Sequence, residues 1–283
     1  MCRGHAEPSF IGEPSAKIRR TPLWNRWGGS RILTRARRRA QIVEYLRIHM
    51  CGRMTLTRVD WDEVILELTE TLVPAGVSGI RADDGAAASF RPRYNVAPAQ
   101  PHPILRADAG AARLGFALWG LLERGRGKAP VINARAETVP FKSAFQDAFV
   151  GRRCVVPADG FFEWKTGPDG RQPLWFHRPD GKLLLLAGLF DEEPAPADHP
   201  PRMRFGVLTT APNSRVAPVH DRMPALLSAA EAAAWLAKPD QRLLHPAPDD
   251  LLVATPVSFR VNSVRNDDPA CLAPPKAGQM RLF

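Results

Sequence analysis

"RRCVVPADGFFEWK", residues 152–165, decides how the rest of the chain is read. Its first half is a run of β-branched and apolar side chains, and its second half sets Glu163 among Phe161, Phe162 and Trp164. Such a run reads as a strand, here bent at Pro157 and Gly160. Working outward, residues 113–122 form a strand-like run ending in Trp119 and Gly120, and "RMRFGVLTT" (202–210) forms another. "PLWFHRPDGKLLLLAGLF" (173–190) reads as a hairpin turning at Arg178-Pro179-Asp180-Gly181. Helical signals are fewer. Asp60 with Glu63 is a capping-box pattern ahead of Trp61, Val64, Ile65 and Leu68, which predicts a helix over about 61–71. Ser228 with Glu231 opens a second helix through Trp235 and Leu236, and "GVSGIRADDGAAAS" (76–89) reads as a loop. Many strands and few helices, with no internal repeat, imply one α+β domain: a mainly antiparallel twisted sheet or barrel with flanking helices.

Composition bounds the function. The chain has 283 residues, 45% hydrophobic and 24% charged, which suits a globular core. The longest apolar run, Leu183–Phe190, is far too short to span a bilayer, and the N-terminus has no apolar signal core. Cys2, Cys51, Cys154 and Cys271 are scattered, without metal-ligand spacing or a paired framework. A reduced cytoplasmic setting is expected. The net charge of +10 belongs almost wholly to the first 49 residues, which hold 11 Lys/Arg and 3 Asp/Glu; residues 50–283 hold 28 and 26. Nucleic-acid binding by the body therefore has to rest on particular arginines and not on overall charge.

The chain accordingly divides into a basic leader (1–49), a body (50–275) and a short C-terminal tail (276–283). The leader is readable as a disordered basic arm. Its acidic residues and early prolines suit a mitochondrial presequence poorly. The third reading, that translation starts at Met50, is favoured on chemical grounds. Within the body, four segments are rich in polar groups: Cys51-Gly52-Arg53, "INARAET" (132–138), "PADGFFEWK" (157–165) and "APVHDRMP" (217–224). Each has a bland explanation. A lone cysteine is commonly a small buried hydrophobe, Asn133 can cap a turn, Glu163 can be the outer face of a strand, and His220 can sit in a solvated loop.

Taken together, "MCGR", "RPRYNVAPAQ", "WGLL", "INARAETV", "RRCVVPADGFFEWK", "TTAPNSRVAPVHDRMPALL" and "VNSVRND" occur in this order over residues 50–270. The set resembles the SOS response-associated peptidase family, the SRAP or abasic-site processing domain. The resemblance implies recognition of abasic sites in single-stranded DNA, and a covalent bond to them from a cysteine exposed by loss of the initiator methionine. By this matching Cys51 is that cysteine, Asn133 orients its amine and the sugar, Glu163 is the acid/base, and His220 protonates the opening sugar or a leaving oxygen. Arg53 and Arg135 grip phosphates, with Lys142 and Arg222 as weaker candidates; Asn95 and Pro98 shape the DNA-binding wall; Arg93 and Asn262 are structural alternatives. A monomer near the nucleoid, acting in the DNA-damage response, is expected, and no metal or organic cofactor is implied because the aminothiol supplies the reactive group itself.

The chemistry explains the demand for a terminus. An abasic deoxyribose opens to an aldehyde, with which a terminal amine condenses to an imine. The neighbouring thiol then closes a five-membered thiazolidine. The amine must be neutral to attack, and an α-amino group titrates near ~8 against ~10.4 for lysine. A cysteine inside a chain offers only an amide nitrogen. Two other readings stand beside this one. Cys51, His220 and Glu163 could form a thiol peptidase site, with removal of the chain's own leader as one use. Alternatively, the body could bind single strands without covalent chemistry. One departure from the family pattern follows Gly120: relatives continue through a proline and tryptophans, whereas this chain reads "WGLLERGRGKAPVINARAE". Weaker base stacking is expected there, with Arg124, Arg126 and Lys128 supplying phosphate contacts.

Overall fold

The computed structural model describes residues 52–122, 130–167, 170–193 and 202–276. The elements described all fall within the unit Ile42–Phe283; the basic leader, Cys51 and nearly all of the C-terminal tail lie outside the described residues.

A five-stranded barrel forms the centre. Its strands are β4 (Pro101–Asp108), β5 (Ala111–Trp119), β7 (Arg153–Ala158), β10 (Leu184–Glu193) and β11 (Arg202–Thr210). The pairs β5–β4, β4–β7, β7–β10 and β10–β11 are antiparallel, and a parallel β11–β5 pair closes the ring, with Arg204 opposite Leu118 and Phe205 opposite Trp119. A short edge strand β2 (Ile80–Ala82) adds in parallel to β5, and β13 (Leu226–Leu227) pairs with β10. The second sheet is antiparallel throughout, in the order β14 (Val253–Pro256), β9 (Gly170–His177), β8 (Gly160–Gly167), β1 (Met54–Leu56), β3 (Arg93–Val96).

Alternation along the strands explains the sequence. Three helices cover one face: α1 (Trp61–Leu72), α3 (Gln146–Gly151) and α4 (Ala229–Ala237). From β7 and β10, Val155, Leu185, Ala187 and Leu189 join a cluster with Val64, Leu68 and Leu72 of α1, Phe149 of α3, and Trp235 and Leu236 of α4. Cys154, Val156, Leu184 and Leu186 point the other way, into a cluster with Phe161 and Phe176 of the second sheet. Strands covered on both faces read as unbroken apolar runs, which is why "LLLLAGLF" shows no alternation. Burial of each large side chain in such a strand contributes about 1.5–3 kcal/mol.

Three sequence expectations change here. The 152–165 stretch is two strands in two sheets, with Asp159 alone between them. The turn at Arg178–Gly181 forms, with the Gly181 N–H donating to the Arg178 carbonyl at 3.2 Å and a φ of 71° at Gly181. Its arms do not pair, however: β9 belongs to the second sheet and β10 to the barrel. β7 and β10 pair with each other across Ala158 and Leu184, so the β8–β9 hairpin is an excursion from the barrel between two adjacent barrel strands. Pairing was invisible because a turn signal reports a reversal and not the partner. Lastly, the 76–89 segment contains β2 and the short helix α2 (Ala86–Ser89); β2 pairs with β5 and packs Ile80 and Ala82, both only partly buried, against the helix-covered cluster.

Both helix caps form. The Glu231 N–H donates to Ser228 Oγ at 3.3 Å and the Ser228 N–H to the Glu231 carboxylate at 2.8 Å. At α1 the Glu63 N–H donates to Asp60 at 2.8 Å, while the Glu63 carboxylate accepts from Val59, one residue earlier than a reciprocal box requires.

Gly160, where the chain enters the second sheet, has no room for a side chain. A Cβ there would sit 2.0 Å from Trp175 Nε1 and 2.8 Å from the Phe176 carbonyl oxygen. Gly160→Ala is expected to cost about 1–3 kcal/mol of stability through forced backbone movement, measured by urea unfolding. An unchanged midpoint would show that β8 and β9 separate freely.

Candidate active site

The polar motifs gather on two structural supports. The first is the end of β11. One of its edges carries β6 (Asn133–Arg135) in parallel, with Val207 opposite Asn133 and Thr209 opposite Arg135. The other carries β12 (Met223–Pro224), with Thr209 opposite Pro224. Ile132, Ala134 and Ala136 are buried, so Asn133, Arg135 and Glu137 share the opposite face at period two. Arg222 spans the three strands. Its guanidinium donates to both Glu137 carboxylate oxygens, at 2.6 and 2.8 Å, and to the Thr209 carbonyl. This fork holds the Glu137 carboxyl below its usual value. The loop before β12 is fixed by Asn213, which accepts from the Val216 N–H at 3.1 Å and donates to the Ala247 and Pro248 carbonyls. His220 ends this loop. The Arg222 N–H donates to His220 Nδ1 at 3.0 Å, which places the proton of the neutral ring on Nε2. An Asp221 carboxylate oxygen lies 3.0 Å from the same Nδ1, a contact that becomes an ion pair only when the ring is doubly protonated.

The second support is β8 with β1. Met54 pairs with Phe161 and Thr55 with Gly160, and the Phe162 N–H donates to the Arg53 carbonyl at 3.0 Å. Carrying that register one step further sets Gly52 abreast of Glu163. Glu163 is only 4% exposed. It lies on the face of β8 shared by Phe161, and its cross-strand partner is Leu174. Phe161 and Leu174 pack in the same cluster as Ile132, Val207 and Met223, the apolar neighbours of Asn133 and of the His220 loop. Glu163 therefore faces the side on which the first support stands. Phe162 and Trp164 face the other way, toward Val257, Val261 and Cys271.

Arg53 occupies that far face as well. Its guanidinium lies 5.7 Å from the Trp164 ring centroid and donates to Asn95 Oδ1 at 2.9 Å and to the Val261 carbonyl at 2.7 Å. Burial lowers its pKa to about 10. Asn95 is fully buried, with Nδ2 within 3.1 Å of the carbonyls of Val261, Ser263 and Asn266. Arg93 pairs with Asp267, which also accepts from the Tyr94 and Asn95 N–H groups at 2.7 and 2.9 Å, and Asn262 accepts from Trp164 Nε1 at 2.7 Å. The "RPRYNVAPAQ" and "VNSVRND" motifs are thus two halves of one tie. Pro98 is half-buried in the turn after β3. Arg135 and Lys142 are both exposed and are joined by successive turns through Thr138. Asp159 and Asn213 are buried polar residues as well; Asp159 carries a sequence signal, a polar residue inside an apolar strand run, whereas Asn213 lies in a loop and carries none. The Glu123–Lys128 segment lies outside the described residues.

A closed five-stranded barrel with an inserted hairpin and few helices defines a class of small α+β domains. The family model described as SOS response associated peptidase (SRAP) matches residues 50–264, and the chain belongs to that family. Among its relatives is the abasic site processing protein YoqW of Bacillus subtilis (strain 168), 34% identical over 232 residues, covering 78% of this chain and 97% of that protein. The abasic site processing protein HMCES of Gallus gallus is 31% identical over 230 residues, covering 67% of this chain and 68% of that protein. A solved protein from Bacteroides thetaiotaomicron superposes with a TM-score of 0.65 at 21% identity, covering 79% of this chain and 99% of that one. At that identity it speaks for the fold alone. No helix among the described residues is long and apolar enough to cross a membrane.

Proposed function

We propose that this protein processes abasic sites in single-stranded DNA by covalent capture, with Cys51 as the chain's reactive terminus. The observation that carries the reading is the register of β1 on β8: extended past the Phe162–Arg53 hydrogen bond, it sets Gly52, bonded directly to Cys51, abreast of the buried Glu163, which faces the side of the strand bearing Asn133 and the loop bearing His220. The curated relatives are named abasic site processing proteins, in agreement with this.

The steps balance without an added reagent. The Cys51 amine adds to the sugar aldehyde, the carbinolamine loses water to give an imine, and the thiol sulfur adds to the imine carbon while its proton passes to nitrogen. Glu163 donates a proton to the departing hydroxyl and takes one from the amine. Asn133 orients the amine and the sugar. His220 in its doubly protonated form, with Asp221 beside Nδ1, gives its Nε2 proton to the ring oxygen as the sugar opens and is left neutral. Arg135 and Lys142 contact flanking phosphates, with Arg222 in reach while held by Glu137. Arg53, Asn95 and Pro98 build the wall behind them. A gel-stable band formed with an abasic oligonucleotide, and absent with Cys51→Ala, tests the reading. Cleavage of peptides without such a band would replace it with the peptidase reading.

Arg135→Ala is expected to weaken binding to every sequence alike. It should also flatten the slope of log affinity against log salt by about 0.7 for each single-strand phosphate that Arg135 neutralises. An unchanged slope would remove Arg135 from the DNA interface.

A further inference from the structure

The lone residue between the barrel and the second sheet is a buried carboxylate whose bonds all go to one place. Asp159 is 5% exposed. Oδ1 accepts from Thr55 Oγ1; Oδ2 accepts from the Thr57 N–H at 2.5 Å and from Thr57 Oγ1 at 2.6 Å. The Asp159 N–H donates to the Thr55 carbonyl at 3.0 Å. Trp175 Nε1 donates to Thr55 Oγ1 at 3.1 Å, locking the hydroxyl from the other side. The nearest cation, Arg58 Nη1, stands at 4.0 Å, and the same guanidinium is shared with Glu63 and Glu67. The carboxylate is therefore satisfied chiefly by neutral donors of β1 and the residue after it.

That strand needs an anchor. β1 is three residues long and is registered to β8 through Met54 and Thr55, with the Phe162 N–H on the Arg53 carbonyl just beyond them, and its pairing with β3 shifts register between Met54 and Leu56. A short strand next to a chain terminus frays. A terminal amine that must meet an aldehyde has to be held from its downstream side, because nothing precedes it. Misplacing a reacting group by about 1 Å can cost 10²-fold in rate.

We propose that Asp159 is a positioning residue for the covalent step: it fixes β1 so that the terminus ahead of Gly52 stays beside Glu163. The inference rests on the capture reaction above. It assigns to Asp159 neither DNA binding nor proton transfer. Its role is distinct from the Arg53–Asn95 tie, which holds the 261–266 segment against β3.

The test uses chains starting at Met50, with and without Asp159→Asn. The amide keeps the shape but loses the charge and turns one acceptor into a donor, so the hydrogen bonds to Thr55 and Thr57 can no longer all be made as they are. Three readouts are taken: the capture rate with an abasic oligonucleotide, the affinity for an oligonucleotide carrying a tetrahydrofuran analogue that has no aldehyde, and hydrogen exchange at Thr55–Thr57. The expected result is a capture rate lower by about 10–100-fold, unchanged affinity for the analogue, and faster exchange confined to β1. If Asp159→Asn does not fold, Thr57→Val, which removes one donor and keeps the N–H, is read in the same three ways. Faster exchange with an unchanged rate overturns the inference, as does an equal fall in rate and affinity. Absence of any crosslink with the parent chain would instead sink the capture reading and this inference with it.

Discussion

A chain that begins at Met50 and loses that methionine is expected to crosslink to an abasic site in single-stranded DNA, and the 283-residue chain, left uncut, is expected not to. The expected difference is all or none, because it is covalent in origin. With residues 1–49 ahead of it Met50 is internal and is not removed, so the Cys51 nitrogen stays in an amide, which cannot form an imine. A thiol alone can add to an aldehyde only reversibly. Lysines elsewhere carry amines, but at a pKa of ~10.4 less than about one in a thousand is neutral near pH 7, against roughly a tenth of an α-amine titrating near ~8. The two described cysteines offer no substitute. Cys154 and Cys271 are fully buried, and burial pushes both thiols up. Cys2 is the alternative terminus, yet its "MCRG" inverts the Gly-Arg order of "MCGR" and the basic leader separates it from the body. Intact mass of the expressed protein, followed by crosslinking gels with Cys51→Ala and Cys2→Ala, decides the matter. Robust crosslinking by an uncut full-length chain that survives Cys51→Ala and is abolished by Cys2→Ala would overturn the assignment.

Much of this arrangement can be read from the residues, and where the reading stops there is a physical cause. Helix α1 was legible because Trp61, Val64 and Leu68 repeat at helical spacing behind an Asp60 cap, both of which are local properties. The strand identity of 152–165 was legible for the same reason. Its division between two sheets was not, because Ala158 pairs with Leu184 far ahead in the chain and Gly160 with Thr55 far behind. Nothing local marks such partners. The same holds for site residues. Asn133 and Arg135 stood out by motif, and β6 sets them at period two on one face. Arg53 and Asn95 stood in motifs as well, but a motif does not say which way a side chain points. At the start of β1, Met54 and Arg53 take opposite faces, so Arg53 turns to Trp164 and Asn95 while Glu163 faces the barrel. Asp159 escaped notice because an acidic residue beside a glycine is a common signature of a turn. Here the residue is buried and holds a strand.

Replacing Glu163 by Gln is expected to slow capture, crosslink reversal or both by about 10²–10⁴-fold while the domain keeps its stability. The side chain is 4% exposed on the barrel-facing side of β8, between Phe161 on its own face and Leu174 across the strand pair. A carboxylate kept from water is costly unless its surroundings use it. The strand would be more simply built with an apolar residue, since Phe162 and Phe161 beside it are fully buried. Imine formation from an amine and an aldehyde needs one proton delivered to a leaving hydroxyl and one removed from nitrogen. A single carboxyl group that changes state between the two steps serves both. Gln preserves volume and one hydrogen-bonding oxygen, and it can do neither transfer. The decisive comparison is between unfolding midpoint and rate. A midpoint close to the parent's, with capture and release both followed on gels of an abasic oligonucleotide, isolates the proton-transfer defect from damage to the sheet. Equal rates in both directions for parent and variant would reduce Glu163 to a packed strand residue. The protons would then have to come from His220 or from solvent, and a separate His220→Ala chain distinguishes those two, because solvent supply leaves its rate untouched.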